Sequence, residues 1–219
     1  RPAFVAPQLP SVDEPRTGLS MGESMEITAR EFDVSREHQD QLALSSHLKT
    51  TAAYDSGFFD DMVTPFRGAE EDNNIRRNTS FEKLQKLKPV FDTKSGNGTM
   101  TAGNSTPLTD GAAAVLLASE EWAQQKNLPI NAYLKYAKIA AVNYVDKEGL
   151  LMAPAYAVSE MLKDAQMNLQ DFDFYEIHEA FAAQTIATIM AWQSGKFCRE
   201  KLGRSEPMGP IELAKLNVK

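Results

Sequence analysis

Cysteine is almost missing: Cys198 is the only one in 219 residues, which excludes an internal disulfide framework and any cysteine-rich zinc site. Histidine is scarce too, and His38, His47 and His178 show no HExxH spacing, so no metal centre is expected. Long apolar runs are lacking. The longest, GAAAVLLA from Gly111 to Ala118, falls far short of the roughly 20 residues of a membrane-spanning helix, and no charged-then-apolar signal segment opens the chain. Positive charge is in deficit: a net charge of -7 and a pI near 5.1 leave no basic face for a general nucleic-acid binder. Walker loop, dinucleotide glycine fingerprint, paired catalytic carboxylates and an aromatic-basic stripe are also missing. Neither end carries a start or stop signal: the chain opens without Met on the proline-rich RPAFVAPQLPSVDEPRTG and closes on IELAKLNVK. A fragment of a longer chain is therefore expected.

What remains is 42% hydrophobic and 24% charged, enough apolar material for one large or two modest globular domains. Ser35 reads as the N-cap of a helix that spaces Leu42, Ser45, Leu48 and Ala52 on one stripe and ends near Gly57. SMEITAREF predicts a shorter helix before it, and SFEKLQKLKPVF another, stopped by Pro89. The run AAAVLLA, bounded by Gly111 and Ser119, predicts a buried strand, and SEEWAQQKNLP a short helix. From Asn131 the pattern restarts as strand (AYLKYAKIAAV), helix (PAYAVSEMLKDAQM), strand (DFDFYEI, apolar on both faces) and a last helix, EAFAAQTIATIMAWQ. Strand alternating with helix argues for parallel α/β layers, with a domain boundary near residues 119 to 131.

Four places carry candidate chemistry. His178 stands where a predicted strand meets a predicted helix, the position at which open α/β sheets build ligand crevices. At a helix N-terminus an imidazole is held toward its neutral form, a donor that can point at a carbonyl oxygen gaining charge; the same residue can equally be a simple helix cap. GTMTAGNSTPLTDG is small and hydroxylic, with Ala102 and Gly103 leaving room for an extended ligand and Thr106 able to bond an amide, or it is a turn ahead of a strand. Arg76 and Arg77 either fork onto a phosphate or answer Glu70, Glu71 and Asp72 as a solvated group. Cys198 lacks a nearby histidine and reads as a half-buried helix residue, not a nucleophile. His38 and His47, nine residues apart on one helix, are given no function.

Five strings, MGESME, EDNNIRRNTSFEKLQKLKPVFD, GTMTAGNSTPLTDGAAAVLLASEEWA, GLLMAPAYA and DFDFYEIHEAFAAQT, together resemble the thiolase family, in the same order and over essentially the whole chain from Gly18. The resemblance is to acetyl-CoA acyltransferases with His-Glu-Ala-Phe where other thiolases carry Asn-Glu-Ala-Phe. It implies an α/β thiolase fold, two similar halves with an inserted helical loop domain, here incomplete. Residues 1–95 would be part of the loop domain, 96–119 the end of the N-terminal half, 120–130 a linker helix and 131–219 the start of the C-terminal half.

The family forms an acyl-enzyme on a cysteine, helped by a Gly-His-Pro histidine and a second cysteine. None of these is in this chain, which resembles about half a subunit and should not turn over by itself. By resemblance, His178 stabilises the substrate thioester oxygen, directly or through a water, and Phe181, Ala102 and Phe91 line the acyl pocket. Thr106, where serine is expected, contacts pantetheine; Met21 lies near the same tunnel, and Arg76 near the nucleotide end of coenzyme A. Implied, too, are acyl-CoA and CoA as substrates, no further cofactor, and a homodimer or homotetramer, with or without a fatty-acid-oxidation partner subunit. The strings are bacterial in style, so a cytoplasmic setting is expected, with the mitochondrial matrix as the alternative. The competing functional reading is a thiolase-like subunit that binds CoA or lipid, or assembles a complex, without catalysis.

Overall fold

The computed structural model describes residues 11–146 and 148–219. Its helices, in chain order, are α1 (Met21–Glu31), α2 (Arg36–Asp55), α3 (Phe81–Gln85), α4 (Glu120–Gln125), α5 (Ala153–Ala165), α6 (Ala182–Gln193) and α7 (Gly195–Glu200). Local chemistry sets most of their starts. Ser35, Ser80 and Ser119 each accept a hydrogen bond from a first-turn N–H of α2, α3 and α4, the satisfaction that a helix N-terminus requires. α1 begins earlier than SMEITAREF suggested. Ser20 and Glu23 form a reciprocal capping box there, which moves the start back to Met21. α3 stops at Gln85 rather than continuing to Pro89, because the Leu87 N–H turns back onto the Leu84 carbonyl and proline keeps its predecessor out of the helical region.

α6 is the centre of the molecule. It packs against α1, α2, α5 and α7, and Ala182, Ala183, Ala187 and Ala191 are buried on it together with Ile189 and Trp192. Small side chains let neighbouring helices approach closely, so a helix apolar on nearly every face is stable only when surrounded. The Trp192 indole satisfies its one donor on the Ala155 carbonyl, 3.2 Å away, and Cys198 lies fully buried with Sγ 3.3 Å from the Trp192 carbonyl.

The strand expectations fail in a common way. Among the described residues, backbone pairing between segments is limited to isolated bridges. AAAVLLA and AYLKYAKIAAV run without secondary structure and exposed, Leu116 at 73% and Ile139 at 95%. A strand is defined by its neighbour's N–H and C=O groups, and no described residue offers them to these segments. DFDFYEI keeps one bridge, Tyr175 parallel to Leu216, and is covered unevenly: Phe172, Tyr175 and Ile177 pack on the core while Phe174 is exposed.

Candidate functional site

Two buried carboxylates, neither singled out by the sequence, anchor the loop that faces the site. Glu26 of α1 is 1% exposed; one oxygen accepts the Thr99 and Met100 N–H groups at 2.8 and 2.7 Å, and the other accepts the Thr99 hydroxyl at 3.1 Å. Asp40 of α2, fully buried, takes the Arg36 Nε at 2.7 Å and the Asn104 Nδ2 at 3.0 Å. Asn104 Oδ1 in turn accepts the Thr101 N–H at 2.8 Å. A buried carboxylate persists only with such a full set of donors, so residues 99–104 are held rigidly against α1 and α2.

That loop then pairs with the segment ahead of α6. Ser105 and Phe181 form an antiparallel bridge, the Thr106 N–H donates to the Ala180 carbonyl at 2.8 Å, and the Ala182 N–H donates to the Asn104 carbonyl at 3.0 Å. The first donor of α6 is thus satisfied by a distant backbone, and α6 starts at Ala182 with Phe181 extended at the N-cap. His178 therefore stands outside the helix. Both the helix-terminus argument for its neutrality and its reading as the helix cap are corrected by this geometry: macrodipole effects fade beyond the first turn.

The pairing assembles a cleft of about 1040 Å³ lined by Ala102, Thr106, Arg76, His178, Glu179 and His47, among others. His178 is exposed to it. Phe181 is buried, with its ring edge-to-face with Phe91 at 5.7 Å, and both stand outside the lining of this cleft. Gly22 is required beside them: a Cβ there would lie 2.1 Å from the Phe91 ring. Met21 sits exposed on the first turn of α1, away from the cleft lining.

The two arginines separate. Arg77 pairs with Asp55 at 2.6 Å and Glu71 at 2.7 Å, whereas Arg76 donates to the Asn73 carbonyl at 2.8 Å and makes no ion pair among the described residues. An uncompensated guanidinium on a cleft wall is available to an anion. His47, given no function above, belongs to the same wall: its Nδ1 accepts the Arg76 N–H at 3.3 Å. Burial, then the Arg76 guanidinium, push its imidazole below the ordinary value, opposed by Asp72 and Glu179. With Nδ1 accepting, the proton is on Nε2. No sequence signal marks His47, since its partner Arg76 lies 29 residues away.

Residues 6–121 match the family model described as thiolase, N-terminal domain, and residues 129–213 the one described as thiolase, C-terminal domain. The chain is 44% identical over 218 residues to a 3-ketoacyl-CoA thiolase of Shewanella loihica, covering 97% of this chain and 49% of that one. It is similar to human mitochondrial 3-ketoacyl-CoA thiolase in complex with CoA, with a TM-score of 0.77, 30% identity, and coverage of 97% and 52% of the two chains. It is also similar to the dimeric peroxisomal thiolase of Saccharomyces cerevisiae, with a TM-score of 0.76, 32% identity, and coverage of 93% and 47%. The chain spans about half the length of the curated relatives it matches.

Proposed function

The chain belongs to the thiolase family, and from that premise we propose that the protein is an acyltransferase that makes or thiolytically cleaves 3-oxoacyl-CoA with CoA and acetyl-CoA. The supporting observation is the backbone pairing of 104–106 with 180–182, which brings the loop of Ala102 and Thr106 against the segment of His178 beside a cleft that Arg76 also lines. A CoA thioester laid in it would meet the Arg76 guanidinium with its phosphates, Thr106 with its pantetheine and His178 with its thioester oxygen. As the carbon–carbon bond forms or breaks, negative charge grows on that oxygen, and the His178 imidazole is the donor for it. Phe181 and Phe91 back the acyl side, while Met21 stands away from the cleft. The covalent step needs a cysteine nucleophile. Cys198, sealed in the core against backbone carbonyls, is not that group.

We assign residues 1–95, of which 1–10 lie outside the described residues, to part of a loop domain, 96–119 to the end of the N-terminal half, 120–130 to a linker helix and 131–219 to the start of the C-terminal half. A homodimer or homotetramer in a bacterial cytoplasm suits the bacterial relatives, and a fatty-acid-oxidation partner remains part of the same proposal. In the complete enzyme His178→Ala should lower kcat by roughly 10²–10³, the effect of losing one oxyanion donor. Near-normal turnover in that variant would favour a thiolase-like subunit without catalysis.

A further inference from the structure

One side chain grips the backbone immediately before His178 and the carboxylate immediately after it. Residues 215–217 run parallel to 175–177: the Tyr175 N–H donates to the Lys215 carbonyl at 2.9 Å, and the Asn217 N–H donates to the Tyr175 carbonyl at 2.8 Å. A regular ladder would continue onto Ile177, but the chain turns away because Asn217 has φ +43°, the left-handed conformation that asparagine tolerates better than most residues. The amide of Asn217 replaces the missing ladder. Its Oδ1 accepts the Ile177 N–H at 2.8 Å, its Nδ2 donates to the Ile177 carbonyl at 2.8 Å, and the same Nδ2 donates to Glu179 Oε1 at 2.7 Å. Both backbone polar groups of Ile177, on one side of His178, and the Glu179 carboxylate on the other are thereby fixed.

We propose that Asn217 is the positioning residue of His178: it holds Ile177 and Glu179 so that the imidazole between them projects into the cleft. The inference rests on the function proposed for His178. Few side chains meet the requirement. Glycine adopts the left-handed turn but leaves Ile177 unpaired, aspartate keeps the acceptor but loses the donor and sets a carboxylate against Glu179, and alanine is strained and has neither group. With no hydrogen bond to a described residue, the exposed His178 imidazole depends on its backbone for aim, and a small displacement of a reacting group reduces rate sharply.

The test is a double-mutant cycle in the complete enzyme with Asn217→Gly, which preserves the turn and deletes the amide. Alone, it should lower kcat by about 10- to 100-fold with KM for the thioester nearly unchanged. In a His178→Ala background the same change should have an effect below about twofold, since Asn217 would then have nothing to aim. Hydrogen exchange across 175–180 should rise in Asn217→Gly whichever residue occupies 178. Equal losses in both backgrounds, an unaltered kcat, or unchanged exchange would each overturn the proposal. Should His178→Ala alone retain turnover while exchange still rises, the role given to His178 fails and the grip of Asn217 on the segment stands. If Asn217→Gly does not accumulate folded, Asn217→Asp goes through the same cycle with the same expected outcomes.

Discussion

Protonation of His47 and the hydrogen bond it accepts from the Arg76 N–H exclude one another, because Nδ1 cannot carry a proton and receive one. The imidazole titrates below its unfolded value of 6.5, first through burial and then through the Arg76 guanidinium. The sign follows. As pH falls, the unfolded chain takes up the proton before the folded one, so stability is fully present above 6.5 and declines below it toward the depressed folded value. Urea unfolding at about pH 7.5 and about pH 5.5 should show a larger loss for the native chain than for His47→Gln, which retains an acceptor that does not titrate. Equal losses would remove His47 as the source.

The contact of α1 with the Phe91 segment depends on an absent side chain. Gly22 lies within the helix, where alanine would normally gain about 1 kcal/mol over glycine. Here the added Cβ falls 2.1 Å from the Phe91 ring, and overpacking of that kind costs about 1–3 kcal/mol. The clash outweighs the propensity. Gly22→Ala is expected to destabilise by about 1 kcal/mol in denaturant unfolding, and in a Phe91→Leu background the same substitution should become neutral or stabilising. A gain in the native background would mean that the ring moves aside freely. The segment carrying Phe91 is otherwise well tied: Asp92, lowered to about 2 by the Ser95 hydroxyl and N–H, also takes Arg30 of α1 at 2.9 Å.

The segments on either side of α4 leave Leu116, Leu117, Leu134 and Ile139 more than two-thirds exposed, with backbone that lacks ladder partners among the described residues. Unpaired, exposed apolar segments are templates for association. A preparation of residues 1–219 alone should bind a hydrophobic dye and self-associate with rising concentration, and Leu116→Lys combined with Leu134→Lys should reduce both. A dye-negative monomer by sedimentation would contradict this surface.

Helix starts were legible in the residues because a cap and its first-turn donor are neighbours along the chain: Ser35, Ser80 and Ser119 needed no distant partner. Family membership was legible for a similar reason, as ordered strings that require no coordinates. His178, Thr106, Ala102 and Arg76 could be named as candidates from those strings, but their convergence on one cleft arises from backbone bonds between 104–106 and 180–182 and from the bond of the Arg76 N–H to His47. Glu26 meets Thr99 across 73 positions, and Asp40 meets Asn104 across 64; no local pattern marks a carboxylate whose donors are that far away. The strands misled for the converse reason. Apolar, β-prone composition shows that a segment can pair, whereas pairing itself is a property of two segments, and burial, register and the hold of Asn217 on Ile177 come into being only when distant parts of the chain meet.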